Sequence, residues 1–342
     1  HKEYRRQRQM CIRDRCYLPS DVSSNAEAHS RQIYARTGWF DFHPYLDREN
    51  IREPERLTLA TSMFGCEEWI PTCLDNIIQQ SYFSKSTIML FDCERNPRLL
   101  QQALPYLQAH ENIKYFRVTK DPGLYGIWNI AALMARSDYL GNMNTDDLRH
   151  PFQIAELIEH LDRDKSCLLA STAIVPYQHE DLQKVIDSGL RQLDHTSLWR
   201  HDEEPWFAFL EGSYSLLDLF KIDQNGNAVE SQCVPHCAPI WRKSIHDTVG
   251  YFNEEYFSSA ADWGLWLNIL ANGGSAYVSS MPYTYYFVNP SSYMRRDTKA
   301  SSLTESLCEA FNTGQITSLL SASILAKPKE DPTLLIDLAL NI

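Results

Sequence analysis

The chain has 342 residues, 44% hydrophobic and 12% aromatic, with a formal net charge of −12, which is material for a sizeable core in one large domain or two small ones. No window approaches the roughly 18 to 20 consecutive apolar residues of a spanning helix, and no apolar stretch follows the N-terminal charges as a secretion signal requires. Residues 1–16 hold six Lys or Arg against Glu3 and Asp14, so the rest of the chain carries −16, a balance that speaks against a nucleic-acid partner.

The basic head has no apolar period, and its string RRQRQMCIRDR resembles a translated sequencing adapter. Residues 1–50 therefore read as an extension outside the fold. From Leu57 the pattern becomes regular. Leu57–Met63 reads as a strand, after which Ile70, Leu74, Ile77 and Ile78 fall on one face of a helix. A strand over Thr87–Phe91 ends at Asp92, a helix follows Pro97, and a strand covers Ile113–Val118. Asp121-Pro122-Gly123 makes a turn, and Ile127, Ile130, Ala131 and Met134 mark an amphipathic helix. A strand over Tyr139–Met143 then delivers Asn144-Thr145-Asp146-Asp147. Four strands alternating with three helices imply βαβ units and a parallel sheet, whose ligands sit beyond the carboxyl ends of the strands. Asp92 and the Asn144, Asp146 and Asp147 group lie at such ends. One aspartate there could cap the helix expected near Pro151; two, with Asn144, are more than a cap needs.

The second half is less regular from about Ser171. Residues 178–232 read as a substrate-side insertion with short strands, its Trp199, Trp206, Phe207 and Tyr214 suited to stacking on a ligand or to packing a core. Regularity returns at Ala238. Trp263, Trp266, Leu267 and Leu270 share a helix face, which puts Asp262 in the first turn, as a cap or as a functional carboxylate. Strands are expected at Ala276–Val278 and Tyr283–Val288, and a helix or helix pair over residues 302–326. Nine scattered cysteines without a Cys-x-x-Cys pair suit reduced thiols in a cytoplasm. Cys233, His236 and Cys237 come nearest to a zinc pattern but lack a second pair.

Neither Gly-x-Gly-x-x-Gly after the first strand nor Gly-x-x-x-x-Gly-Lys-Ser/Thr occurs. A carboxylate-held divalent ion, Mn²⁺ or Mg²⁺, is the remaining device for a diphosphate in an acidic protein. Taken in order, LTLATSMF (57–64) with QQSYF (79–83), TIMLFD (87–92), GLYGIWNIAALMARSDYLGNMNTDDLRHP (123–151) and PIWRKSIHDTVGYFNEEYFSSAADWGLWLNIL (239–270) resemble the family 2 glycosyltransferases, from about Leu57 to Pro290. The resemblance implies an α/β, Rossmann-like GT-A fold: a mostly parallel sheet flanked by helices, over residues 51–300. A nucleotide-binding half would span 51–150, an acceptor-binding half 151–300, and a C-terminal helical tail 301–342. It places the family's Asp-x-Asp metal motif on Asn144-Thr145-Asp146 with Asp147 following, so that Asp146 and Asn144 would hold the metal. It puts nucleotide contacts on Thr61, Ser62, Phe64, Asp92, Asn129, Asn144 and Asp147, and the catalytic base of inverting members on Asp262. Asn144 departs from the Asp of many members; its amide brings no charge, which makes Asp146 the direct ligand.

The expected activity is inverting transfer from a nucleoside-diphosphate sugar to a glycan or lipid-linked glycan hydroxyl, in a cytoplasmic protein with peripheral membrane contact left open. Arg149, Arg242, Arg295 and Arg296 are candidate anion contacts. Two rivals stay open: a sugar-nucleotide pyrophosphorylase, which would carry a glycine- and arginine-rich loop where TSMFGCEEW stands, and a decayed glycan- or nucleotide-sugar-binding relative, which Asn144 keeps alive.

Overall fold

A computed structural model describes residues 55–187, 212–235, 237–289, 298–328 and 331–340. Strands β1 (Leu57–Met63), β2 (Ser86–Asp92), β3 (Ile113–Val118) and β4 (Tyr139–Asn142) pair in parallel in the order β3-β2-β1-β4. Between them run α1 (Ile70–Ile78), α2 (Pro97–Ala109) and α3 (Leu124–Met134). These are the expected βαβ units. The strands form because they are buried on both faces: along β2, Ile88 and Leu90 join one apolar cluster while Met89 and Phe91 join the other, as a period of two dictates. One layer, with α1, α2 and α4 (Gln153–Arg163), packs around Leu57, Leu59 and Ile88. The opposite layer holds α3, α5 (Ala261–Ala271), α6 (Thr298–Asn312) and α7 (Ile316–Ala322).

Beyond β4 the sheet continues through β10 (Ile240–Arg242), antiparallel to both β4 and β6 (Cys167–Tyr177). β11 (Ser275–Phe287) runs parallel to β6, with the two-residue β5 (Leu148–Arg149) and β7 (Gly212–Tyr214) antiparallel on its outer side. A separate hairpin joins β8 (Phe220–Ile222) to β9 (Ala228–Ser231). β6 fell where the sequence pattern looked irregular, and β11 is one strand where two were expected, its register shifting between Ser279 and Thr284. The C-terminal segment is not wholly helical. After α6 and α7, β12 (Ile336–Leu340) adds antiparallel to β3 at the sheet edge, where Asp337 takes ion pairs from Arg117 at 2.8 Å and Arg95 at 3.0 Å. Among the described residues no helix is long and apolar enough to cross a membrane.

A buried histidine makes the core pH-sensitive. Trp241 Nε1 donates to His246 Nε2 at 3.1 Å, so the neutral ring carries its proton on Nδ1, which meets the Gly250 carbonyl at 2.9 Å. Burial pushes the His246 pKa down to about 4. The unfolded ring binds its proton near the ordinary value while the folded ring does not, so this stabilisation is complete above about pH 6.5 and is lost as pH falls toward about 4. His246→Gln keeps an acceptor and a donor but cannot titrate. Urea melts of both proteins should show about 3 kcal/mol less acid destabilisation in the variant over that window; equal pH slopes would clear His246.

Candidate active site

The carboxyl ends of β1, β2 and β4 stand side by side, because Ala60 pairs with Asn142 and Met63 with Asp92. The backbone continues the pairing past β4, with Met143 N donating to the Ala60 carbonyl at 2.9 Å. The Cys66 thiol lies beside the Thr145 side chain, so the loop after β1 borders the acidic run.

Within that run the two aspartates have different surroundings. Asp147 is buried; Oδ1 accepts from Phe287 N at 3.1 Å, and Oδ2 accepts from Asn144 Nδ2 at 2.8 Å. Desolvation, with the Asp146 charge beside it, raises the Asp147 pKa to about 7. The Asp146 carboxyl is also pushed up by desolvation, with only its own amide to offset it. Its backbone carbonyl accepts from the Tyr177 hydroxyl, which fixes the turn and leaves the side chain free to point elsewhere. Two adjacent carboxylates, one of them without a side-chain partner, are what a cation would relieve.

The oxygens fit a hard divalent ion. Asp146 offers an unclaimed carboxylate, Asn144 Oδ1 has only a 3.4 Å contact from Asn142, and Asn142 Oδ1 is buried without any partner. Among the described residues no three His, Cys, Asp or Glu side chains converge as a cage. An ion that keeps several waters and takes the rest of its oxygens from a substrate phosphate does not need one.

Asp262 is the one residue of α5 from Ala261 to Leu270 that is not buried, the polar Asn268 included among those that are. A helix buried on every side sits in the core, and this one is held tightly. Gly264 lets the Phe257 ring lie against it, where a Cβ would come within 2.3 Å of the ring. Asp262 Oδ1 accepts from Trp263 N at 2.8 Å and faces the Tyr125 hydroxyl at 3.0 Å. The residue keeps part of its surface open, yet its carboxyl is enclosed enough that desolvation raises the pKa to about 6. Asp147 and Asp262 both lie near enough to the buried Cys237 thiol to push its pKa up.

Other expected contacts are spent on the fold. Arg149 is 1% exposed and donates to Gln153 Oε1, the Ala238 carbonyl and the Asn142 carbonyl, so it is not an anion contact. Arg242 serves the opposite end of the sheet, donating to the Leu161, Asp164 and Cys167 carbonyls. Asn129 exchanges both amide ends with the Phe252 backbone, leaving none for a nucleotide. Asp92, also 1% exposed, accepts from the amides of Glu94 and Arg95 and from the Tyr115 hydroxyl; it shapes the turn after β2. Thr61 is buried with Oγ1 unpartnered, Ser62 meets Cys93 Sγ at 3.6 Å, and Phe64 packs against the core. Tyr214 likewise packs against the core. Trp199, Trp206, Phe207, His236, Arg295 and Arg296 lie outside the described residues. Sequence reasoning passed over Asn142, Tyr125 and Tyr177; the one signal available for Asn142 was an amide in an otherwise apolar strand.

A family model described as Glycosyl transferase family 2 matches residues 58–248. No curated protein matches the sequence. Among solved structures, S. aureus TarS 1-349 in complex with UDP-GlcNAc is similar with a TM-score of 0.52 and 15% identity, over 71% of this chain and 61% of that one. The same protein in complex with UDP gives a TM-score of 0.50 and 16% identity, over 69% and 61%. A mannosyltransferase from Pyrobaculum calidifontis, in complex with GDP-Man and Mn²⁺, gives 0.49 and 12% over 88% and 81%. At these identities the TarS likeness is one of fold, and the chain spans about three-fifths of the TarS chains it matches.

Proposed function

The chain belongs to glycosyl transferase family 2, and from that membership we propose that it transfers a sugar, with inversion, from a nucleoside-diphosphate sugar to a glycan or lipid-linked glycan hydroxyl. The pyrophosphorylase alternative falls with the family match. The observation that carries the proposal is the acidic run just past β4, where Asp146 has no side-chain partner, together with the enclosed carboxylate of Asp262 in the first turn of α5.

The acceptor oxygen attacks the anomeric carbon from the side opposite the diphosphate. As that bond forms, the bond from carbon to the leaving phosphate oxygen breaks, taking its electron pair, and the hydroxyl proton passes to Asp262. Asp146, with Asn144 and Asn142 beside it, would hold Mn²⁺ or Mg²⁺. Such an ion, when bound, offsets charge on the departing diphosphate. Asn144 orients Asp147 through its amide, and Thr61, Ser62 and Phe64 line the end of β1 where the nucleoside would rest. The UDP-GlcNAc bound by the TarS fold neighbour makes that sugar nucleotide the first donor to try. Polysaccharide or glycoconjugate synthesis in the cytoplasm is the setting we favour, supported by the described cysteines, all of which are free.

Calorimetry with UDP and GDP, with and without Mn²⁺, tests the metal half. Asp146→Ala should weaken nucleoside-diphosphate binding at least about tenfold with Mn²⁺ present and hardly at all without it. Equal weakening in both conditions would remove Asp146 from the metal site.

A further inference from the structure

Tyr125 and Asp262 stand 137 positions apart in sequence and meet hydroxyl to carboxylate. Tyr125 is the second residue of α3, which starts after Gly123, whose φ of 89° suits glycine and whose missing Cβ leaves room for the Glu254 carboxylate. The phenol ring is 5% exposed and is wedged against Trp128 and Phe252, with centroids at 5.1 and 5.9 Å. Its position is therefore set by the core. Its oxygen lies 2.6 Å from the Ser259 carbonyl and 3.0 Å from Asp262 Oδ1. One phenol proton faces two acceptors.

We propose that Tyr125 is the positioning residue for Asp262: together with Trp263 N it occupies Oδ1, turning Oδ2 toward the acceptor. The hydrogen bonds that other described residues give Asp262, from the Tyr125 hydroxyl and Trp263 N, both fall on Oδ1. While Asp262 is ionised, the phenol proton points at Oδ1 and supports the negative charge. When the acceptor's proton arrives on Oδ2, the charge on Oδ1 falls and the phenol proton swings back to the Ser259 carbonyl. Tyr125 neither gains nor loses a proton in the cycle. The titratable groups whose charge reaches this pair are the Cys233 and Cys237 thiols and Glu254. Neither thiol donates to Asp262 among the described contacts. The role rests on the reading of Asp262 as the base.

The test titrates Asp262 directly, with no ligand, by the carboxyl stretch in infrared difference spectra, assigned by its loss in Asp262→Asn. Tyr125→Phe should raise the midpoint by about one pH unit, the weight of one hydrogen bond to a charged group. A ring-fluorinated tyrosine at 125, a stronger donor of nearly the same size, should lower it and covers the case in which Tyr125→Phe does not fold. A purely structural tyrosine would change the melting temperature and leave the midpoint where it was; unmoved midpoints in both proteins overturn the proposal. UDP release from UDP-GlcNAc with Mn²⁺ across pH is the second readout. Its acid limb should move with the midpoint, and a midpoint that moves beneath a fixed acid limb overturns Asp262 as base and the positioning role with it.

Discussion

Asp262→Asn is expected to cut turnover at least about a hundredfold while leaving the fold and the binding of nucleotide intact. A general base contributes typically about 10²- to 10⁴-fold, or roughly 3 to 5 kcal/mol of barrier, and acts on the acceptor's proton alone. Asparagine keeps the oxygen that accepts from Trp263 N at 2.8 Å, so the first turn of α5 retains its side-chain bond. The folded pKa of Asp262 is raised to about 6, so ionising it opposes folding once pH exceeds the unfolded value near 4, and a neutral amide removes that cost. At pH 8 the variant should melt at the wild-type temperature or above it. If Asp262 were only a helix-terminal residue, Asp262→Ala would cost about 1 kcal/mol and keep activity. Melting and UDP release measured on both variants separate the two cases, and near-normal turnover in Asp262→Asn sinks the assignment.

The second large effect is on stability. Arg149→Met should lower the free energy of unfolding by about 3 to 5 kcal/mol, the cost of breaking a buried charged network from one side. The guanidinium supplies Gln153 Oε1, the Asn142 carbonyl and the carbonyl of Ala238, a residue held at φ 51°. Gln153 in turn donates to Thr284 and Thr172, which bond each other at 2.9 Å. That chain links β5, α4, β6 and β11. Removing its cation leaves buried acceptors unpaired and takes the nearest positive charge from Asp147. Arg149→Lys should be intermediate, because one ammonium cannot reproduce the planar fork. Urea midpoints read the effect; a loss below about 1 kcal/mol would return Arg149 to the list of anion contacts.

The parallel half of the sheet was legible because strands covered on both faces read as apolar runs between amphipathic helices, as β1, β2 and β3 do. β6 was not, since its Ser171 and Thr172 are buried polar residues bonded to Cys237 and Thr284, and a sequence shows the hydroxyl without its partner. The same blindness explains the misplaced contacts. Asp92, Asn129 and Arg149 look like ligand-binding groups in a string of letters, yet Asp92 is held by the turn that follows it and by Tyr115, and Asn129 and Arg149 by backbone far along the chain. Asp146 stood out because it follows an apolar run at a strand's end, and Asp262 because it opens a helix whose apolar face is legible in Trp263, Trp266, Leu267 and Leu270. Asn144 carries a further lesson. Read alone, Asn144→Asp adds a metal ligand; in the fold it would set a carboxylate 2.8 Å from that of Asp147.

The ends of the ten-stranded sheet bear on how the molecule behaves in a crowd. An open edge strand presents a row of unpaired amides and carbonyls on which another copy can build. Here one edge is the five-residue β12, with Asp337 and its two arginines set along it, and the outer side of β11 is broken up by the two residues of β5 and the three of β7. Among the described residues, each end of the sheet is thus short or interrupted, which leaves another copy's strand little continuous backbone on which to build.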